Sequence, residues 1–503
     1  MKKYTSKTDS STYRLLLLIV MAGTTMLYAL SMTLVNIILP QLQGALSATQ
    51  EQISWVITLN VLATAIATPL TGSLVSMFGR RPVLILCSSC FTFATLACGF
   101  CGSLETLLIF RVIQGASGAP LMPLCQATLL QSYPRELHAK VNGVFGMAIV
   151  VGPALAPSLG GYLSETYDWR WVFFMMFPLG LMAVIGNWKI VSDAGREAKS
   201  KFDYLGFTLF SVSIVCLQLI VDRGEREDWL ESMYIITLIT SMTISFYMFL
   251  INTPFSSQPY LKFKIFQNKN YTLGVVLVFI YGSLNFTPLV LMPPMLQSLQ
   301  GFPDLLVGSI LATRGCGMIV GFFVASKMGR LDPRIGMMTG MVSIGVSGWF
   351  MSAFGINTPV ETISLVSALQ GFGCGLLWVP LAVITFSTMP NSLYPDASAF
   401  FHLLRNLGTS IFVGFSVTLL LRTSKIRYSE FTEKIILFDE KFLFPDVIGN
   451  GSSRWLNSLE QLALEIEKQA MMIGYNNTFF FYAAVCLATL PILALISVKK
   501  ISD

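Results

Sequence analysis

Carboxylates are almost absent from the apolar runs that make up most of this chain. Only 12% of its 503 residues are charged, against 54% hydrophobic, a composition far from that of soluble proteins. Histidine is scarcer still. His138 and His402 fall in different segments, so no His-based metal centre or catalytic triad is expected, and neither metal nor cofactor is assigned. No Gly-Lys-Ser/Thr phosphate loop occurs, so ATP-driven pumping and enzyme activity are not expected. The nine cysteines (87, 90, 98, 101, 125, 216, 316, 374 and 486) fall in expected spans, none in an outer loop, which leaves no disulfide framework. Cys87-x-x-Cys90 and Cys98-x-x-Cys101 have metal-like spacing, but with no His or acid beside them they read as small packing residues.

What remains is apolar runs, each close to the 20 or so residues a membrane span needs. Fourteen are expected, at roughly 14–39, 53–77, 83–101, 106–130, 140–163, 171–191, 204–222, 231–251, 271–296, 304–326, 336–355, 362–389, 397–421 and 476–498. Runs of this length must be helical, because lipid offers no partner for an open backbone. After Leu39-Pro40 the chain continues Gln-Leu-Gln, without an A-x-A-like cleavage site, so the first helix is expected to be retained.

With the N-terminus inside, Lys2, Lys3, Lys7, Arg14, Arg80, Arg81, Arg135, Lys140, Lys189, Arg196, Lys199 and Lys201 are cytoplasmic. So are Lys262, Lys264, Lys269, Lys327, Arg330, Arg334, Lys499 and Lys500, while the short outer loops hold Arg170, Arg223 and Arg226. That bias places both termini in the cytoplasm. The net charge of +6 is therefore topology, and does not point to nucleic acid.

Three units are expected: a six-helix half over 1–191, two inserted helices with flanking linkers over 192–270, and a second six-helix half over 271–503. The last includes an outer segment, 422–475, in which Trp455, Leu459, Leu462, Ile466 and Ala470 recur at helical spacing between charges. It reads as an amphipathic helix on the membrane or a partner, or as a hairpin on its own domain. A faint repeat links the halves. Gln114-Gly115-Ala-Ser-Gly118 before Pro123 resembles Gln370-Gly371-Phe-Gly373-Cys-Gly375 before Pro380, and Gly72…Gly79-Arg80 resembles Gly321…Gly329-Arg330. Equivalent spans lie eight apart, as in a transporter with two parallel repeats and two inserted helices.

Seven motifs carry a closer likeness. They begin with Gly72-x-Leu74-x-Ser76-x-x-Gly79-Arg80-Arg81, Arg111-Val-Ile-Gln114-Gly115-Ala-Ser-Gly118 and Gly152-Pro153-x-x-x-Pro157-x-x-Gly160-Gly161. Trp169-Arg170-Trp171-Val-Phe173…Pro178-x-Gly180, the stretch from Asp222 to Trp229, and Arg405-Asn406-Leu407-Gly408-x-Ser410 follow, with the first-span run from Leu30 to Pro40 beside them. In order, over essentially the whole chain, they resemble the major facilitator superfamily. The narrower likeness is to its 14-span drug/proton antiporter family, the EmrB/QacA type, nearer the EmrB side. The resemblance implies an all-α polytopic fold, two six-helix halves plus two inserted helices. It also implies export of small amphipathic molecules from the inner membrane by alternating access, coupled to protons. A periplasmic adaptor and outer-membrane channel are implied as partners in a Gram-negative host, with 422–475 as a docking element. In the resembling family the fifth-span Gly-Pro segment is implicated in antiport, and Gly and Pro there allow close helix contact and a bend.

The chain departs from that pattern at charged positions. Ser31 stands where the first span of the family carries an aspartate, Ser76 replaces the loop aspartate, and Met176 replaces an asparagine. No acid lies near a span centre; Asp222, Asp304 and Asp396 come closest, at span ends. Arg111, Arg314 and Arg405 lie inside spans, with His402 one turn before Arg405 on the same face. An arginine at a helix centre costs about 2.5–3.5 kcal/mol on insertion scales, so these side chains face the bundle interior. There they serve the substrate or bond backbone carbonyls and lock helices together.

Ser31, Thr33, Asn36 and Gln114 are candidate substrate or coupling residues beside them. Thr58, Asn60, Gln126, Asn285, Gln297, Gln370, Trp378 and Asn406 are further cavity candidates. A lipophilic cation lacks a carboxylate partner here, so anionic or neutral substrates are favoured. Proton coupling falls to His402, to the three terminal acids, or to a substrate carboxylate. A cationic multidrug antiporter and an uncoupled uniporter or importer are the alternatives; the Gly-Pro elements argue against a non-transporting sensor.

Overall fold

The computed structural model describes residues 11–192, 202–256, 260–328, 332–390, 393–434 and 452–494. Lys2, Lys3, Lys7, Arg196, Lys199, Lys201, Gly329, Arg330, Lys499, Lys500 and the middle of the 422–475 segment lie outside these residues. Among them every long element is a helix. The first eight are α1 (Ser11–Ile37), α2 (Gln50–Ala67), α3 (Leu70–Phe78), α4 (Arg80–Gly99), α5 (Leu104–Gly118), α6 (Leu121–Ser132), α7 (His138–Thr166) and α8 (Arg170–Ile190). Two more follow, α9 (Tyr204–Arg223) and α10 (Met233–Phe255). The rest are α11 (Lys269–Pro294), α12 (Asp304–Lys327), α13 (Pro333–Met351), α14 (Val360–Ser387), α15 (Tyr394–Lys434) and α16 (Ser452–Ala494).

Local chemistry sets the ends. Thr49 and Gln52 form a reciprocal capping box at the start of α2, Asp203 caps α9 through the Gly206 amide, and Asn268 caps α11. Pro69 divides one span into α2 and α3, bent by 53°, as a missing N–H and a ring clash require. Gly79 joins α3 to α4 at φ +87°, a conformation that side chains with a Cβ resist.

Twelve described helices are long and apolar enough to span a membrane, or 13 with α2 and α3 counted as one span. The expected span at 336–355 is the 19-residue α13. It is not among those twelve. Two further expectations change. Helix α4 ends at Gly99, so Cys101 sits buried in the turn after it; like every other cysteine it is free, and only Cys90 and Cys316 are exposed. The described parts of 422–475 are continuous with their neighbouring helices, the 41-residue α15 and the 43-residue α16, so among the described residues no separate helix lies there.

The packing repeats. Among the first eight helices α1 pairs with α7, α2 with α5, and α4 with α8; among the last six α11 pairs with α15, α12 with α14, and α13 with α16. One apolar core draws its residues from Leu17 to Val191. A second draws on Ile265 to Leu493 together with Ala127 and Leu130 of α6. Helix α9 pairs with α10 and touches both α2 and α15. Helix α10 keeps Ile244, Phe246, Tyr247 and Met248 exposed, as a lipid-facing helix would.

The two sets of six meet at the end of the bundle where α1 begins. There Gly143 and Gly146 of α7 lie against Ser326 and Phe322 of α12, and Gly72 lies against Asp396.

Candidate functional site

Every buried charged side chain among the described residues is an arginine or a histidine; no aspartate or glutamate is buried. The three arginines inside the spans are not equivalent. Arg111 on α5 donates from Nε to the Val56 carbonyl on α2 (3.2 Å) and from Nη1 to Gln114 Oε1, while Gln114 donates to Thr95 on α4 (2.7 Å). Asn60 closes the cluster by donating to the Arg111 carbonyl (2.8 Å).

Arg314 on α12 repeats this with the helices exchanged. Its Nε donates to Gln370 Oε1 on α14 (2.6 Å), and Nη2 donates to the carbonyl and side-chain oxygens of Asn285 on α11. Gln370 then donates to the Leu284 carbonyl and Tyr482. Both guanidiniums are spent on helix–helix seams, and the glycine after each glutamine makes the approach possible. A Cβ on Gly115 would fall 2.5 Å from the Asn60 carbonyl oxygen, and one on Gly371 would fall 2.0 Å from that of Arg314.

Arg405 on α15 differs. It makes one hydrogen bond, Nη2 to Asn406 Oδ1 (3.1 Å), and its Cζ lies 5.9 Å from the Trp378 ring centre. Tyr28 of α1 and Tyr281 of α11 lie within electrostatic reach. One turn away, His402 Nε2 sits 2.7 Å from Gln126 Oε1, which Ser398 also approaches (3.1 Å). From Gln126 the chain runs to Asn142 and on to the His138 carbonyl. Helices α6 and α7 of one half thus join α15 of the other. The residues flanking His402 predict nothing of this, because Gln126 is 276 positions away.

The other expected residues scatter. Ser31 is buried, and its hydroxyl donates to the Tyr28 carbonyl (2.8 Å). Thr33 is half-buried and Asn36 exposed. Helix α7 runs unbroken through Pro153 and Pro157. Gly152 touches α1 at the Met26 carbonyl, Gly118 the Tyr28 and Phe91 rings, and Gly160 Leu34, whereas nothing approaches Gly161 within 4 Å. Arg80 reaches Gln131 and Arg81 the Trp188 carbonyl. Gly72 faces Asp396, which pairs with Lys262 at 2.8 Å. Beside that pair, outside the spans, burial pushes the Tyr260 phenol well up, and Asp396 adds to the effect.

At the opposite end α9 ties α2 to α15. Thr58 donates to Asp222 (2.8 Å), Arg223 pairs with Glu51 (3.0 Å) over the Trp55 ring, and Glu225 pairs with Arg422 (3.7 Å). Among the described residues no group of His, Cys, Asp and Glu could hold a metal ion.

A family model described as Major Facilitator Superfamily matches residues 21–413. The chain is 28% identical over 474 residues to the multidrug export protein EmrB of Haemophilus influenzae, covering 93% of each. It is 27% identical over 471 residues to the fatty acid resistance protein FarB of Neisseria gonorrhoeae, covering 92% of each. The crystal structure of the human organic anion transporter MFSD10 superposes with a TM-score of 0.63 at 13% identity, over 95% of this chain and 99% of that one. That likeness is one of fold.

Proposed function

We infer the function from one premise: this chain belongs to the major facilitator superfamily. It is a multi-pass membrane transporter, and its multidrug-export and fatty-acid-resistance relatives support secondary active efflux of small amphipathic molecules. The observation that carries the substrate preference is the buried charge. Arg111, Arg314 and Arg405 stand in the spans without a buried carboxylate among the described residues. A cation entering that low-dielectric interior would meet like charge and no counter-ion. Anionic and neutral amphipaths are therefore the substrates.

The halves 1–191 and 271–503 rock about a central cavity, with 192–270 carried beside them. The positive-inside bias places the closed end, with Gln126, His402 and Asp396, at the cytoplasmic face of the inner membrane, along with both termini. Cytoplasmic opening then requires Gln126 to leave Ser398 and His402. Protons drive export. Helices of 41 and 43 residues are about 60 Å long at 1.5 Å per residue, roughly twice the hydrocarbon thickness. Their outer ends project as the surface for a periplasmic adaptor that continues to an outer-membrane channel.

Everted vesicles with a preformed inside-acid gradient and a quenched acridine dye test the reading. An amphipathic carboxylate should dequench the dye relative to empty-vector vesicles. Dequenching by a lipophilic cation alone would overturn the anionic preference, and response to neither would overturn proton-coupled export of these classes.

A further inference from the structure

Three polar atoms buried around Trp378 have no hydrogen-bond partner among the described residues: the indole Nε1, Arg405 Nε and His402 Nδ1. The Trp378 ring centre lies 6.2 Å from that of His402 and 5.9 Å from Arg405 Cζ, so the three belong to one cluster. Such orphans are rare in folded proteins and mark a place that water or a ligand completes. Arg111 and Arg314, by contrast, have acceptors from neighbouring helices.

The protonation of His402 follows from its neighbours. The His138 carbonyl can only accept, so Asn142 turns its amide nitrogen towards it and its oxygen towards Gln126. Gln126 therefore presents its own oxygen to His402 Nε2, and that nitrogen carries the hydrogen. Neutral His402 is left with a bare lone pair at Nδ1. The cluster thus offers two unpaired donors, Trp378 Nε1–H and Arg405 Nε–H, and one unpaired acceptor.

We propose that Trp378, Arg405 and His402 form the head-group site for a substrate carboxyl group, which is bound together with one proton. A carboxyl oxygen accepts from the indole and guanidinium, and the proton lies between the other oxygen and Nδ1. Whether it is written on the acid or on the imidazole, the complex holds one proton more than free carboxylate and neutral His402. The other titratable groups around the site are Tyr281 of α11, Tyr28 of α1 and Cys374 of α14. Helix α6 presents the amide of Gln126, and none of these supplies a competing carboxylate. Phe401 and Tyr281, packed on Trp378, give an aliphatic tail an apolar surface. The site rests on the export reading only for the choice of an amphipathic carboxylate.

The test is binding without transport. Full-length protein in nanodiscs is titrated calorimetrically with decanoate between about pH 6.5 and 8.5, in buffers of unlike ionisation enthalpy. Wild type should take up one proton per decanoate, with affinity falling about tenfold per pH unit. R405Q and W378F should each bind about tenfold or more weakly, R405K should recover part of the loss, and H402Q should bind without proton uptake. The indole 15N–H signal missing from W378F should shift in wild type on adding decanoate, a readout that needs W378F only for its assignment. Equal binding by wild type, R405Q and W378F, binding without proton uptake, or no decanoate binding would each overturn the site. A proton carried outward with decanoate would deepen the quench in everted vesicles, so binding as expected with deeper quenching or no dye response would count against proton-driven export and leave the site standing.

Discussion

Replacing Gly115 by alanine should weaken the first half of the bundle far more than the same change at Gly161. Both glycines belong to motifs that look alike in the sequence, yet only one is pressed against another helix. The added Cβ at Gly115 would sit 2.5 Å from the Asn60 carbonyl oxygen, where ordinary contact begins at 3.4 Å. Helices α2 and α5 must therefore separate by about 0.9 Å, and backbone cannot swing aside as a side chain can.

That shift lengthens the bond from Arg111 Nε to Val56, now 3.2 Å, to about 4 Å, past hydrogen-bonding range. Overpacking costs about 1–3 kcal/mol, and losing a charge-assisted bond about 1.5–3 kcal/mol. The two share one seam and do not simply add; a loss of about 3 kcal/mol is expected. Reversible unfolding in mixed detergent micelles measures it, with Gly161→Ala as the control within about 0.5 kcal/mol of wild type. Equal stability of the Gly115→Ala and Gly161→Ala proteins would refute the close approach of α2 and α5.

Arg314→Met should destabilise the packing of α11, α12 and α14 by about 1–3 kcal/mol, because Gln370 and Asn285 are left with buried oxygens lacking a donor; unchanged unfolding would contradict the seam role. A disulfide between cysteines at Gly143→Cys and Ser326→Cys, whose Cβ atoms would lie 3.1 Å apart against about 3.8 Å in disulfides, should stop vesicle transport. Reduction should restore it, and transport by the fully cross-linked protein would show that this end need not open. Ser31→Asp should create efflux of a lipophilic cation dye if its missing carboxylate sets charge preference; a normally inserted variant with no dye efflux would remove that explanation.

The seam arginines show where reading the sequence reaches its limit. Arg111 and Arg405 look alike in it, each an intramembrane charge beside a glycine motif. Whether each is spent on a helix seam or left for a ligand depends on which carbonyls lie within 3 Å or so, and for Arg111 that carbonyl belongs to Val56, 55 positions away. The order of the helices was legible because lipid requires a helical backbone in each apolar run; the 53° break at Pro69 inside the expected 53–77 span was not read, although proline acts locally. The apolarity of α13 and the reach of α15 and α16 beyond the membrane were less legible. Glycine lowers a helix's hydropathy without preventing it from packing inside a bundle, and nothing in the chain ends α16 where the bilayer does.

The sequence by itself determined that this is an all-helical membrane protein with a repeated helical pattern, and that its buried charge is positive, because each follows from residue type and local order. Only the tertiary structure decided that Gln126 meets His402, that Arg111 and Arg314 are bound into seams, and that Arg405 retains an unpaired donor. Those outcomes depend on contacts between helices distant in sequence, and each polar side chain in a low-dielectric interior is defined by the partners that surround it.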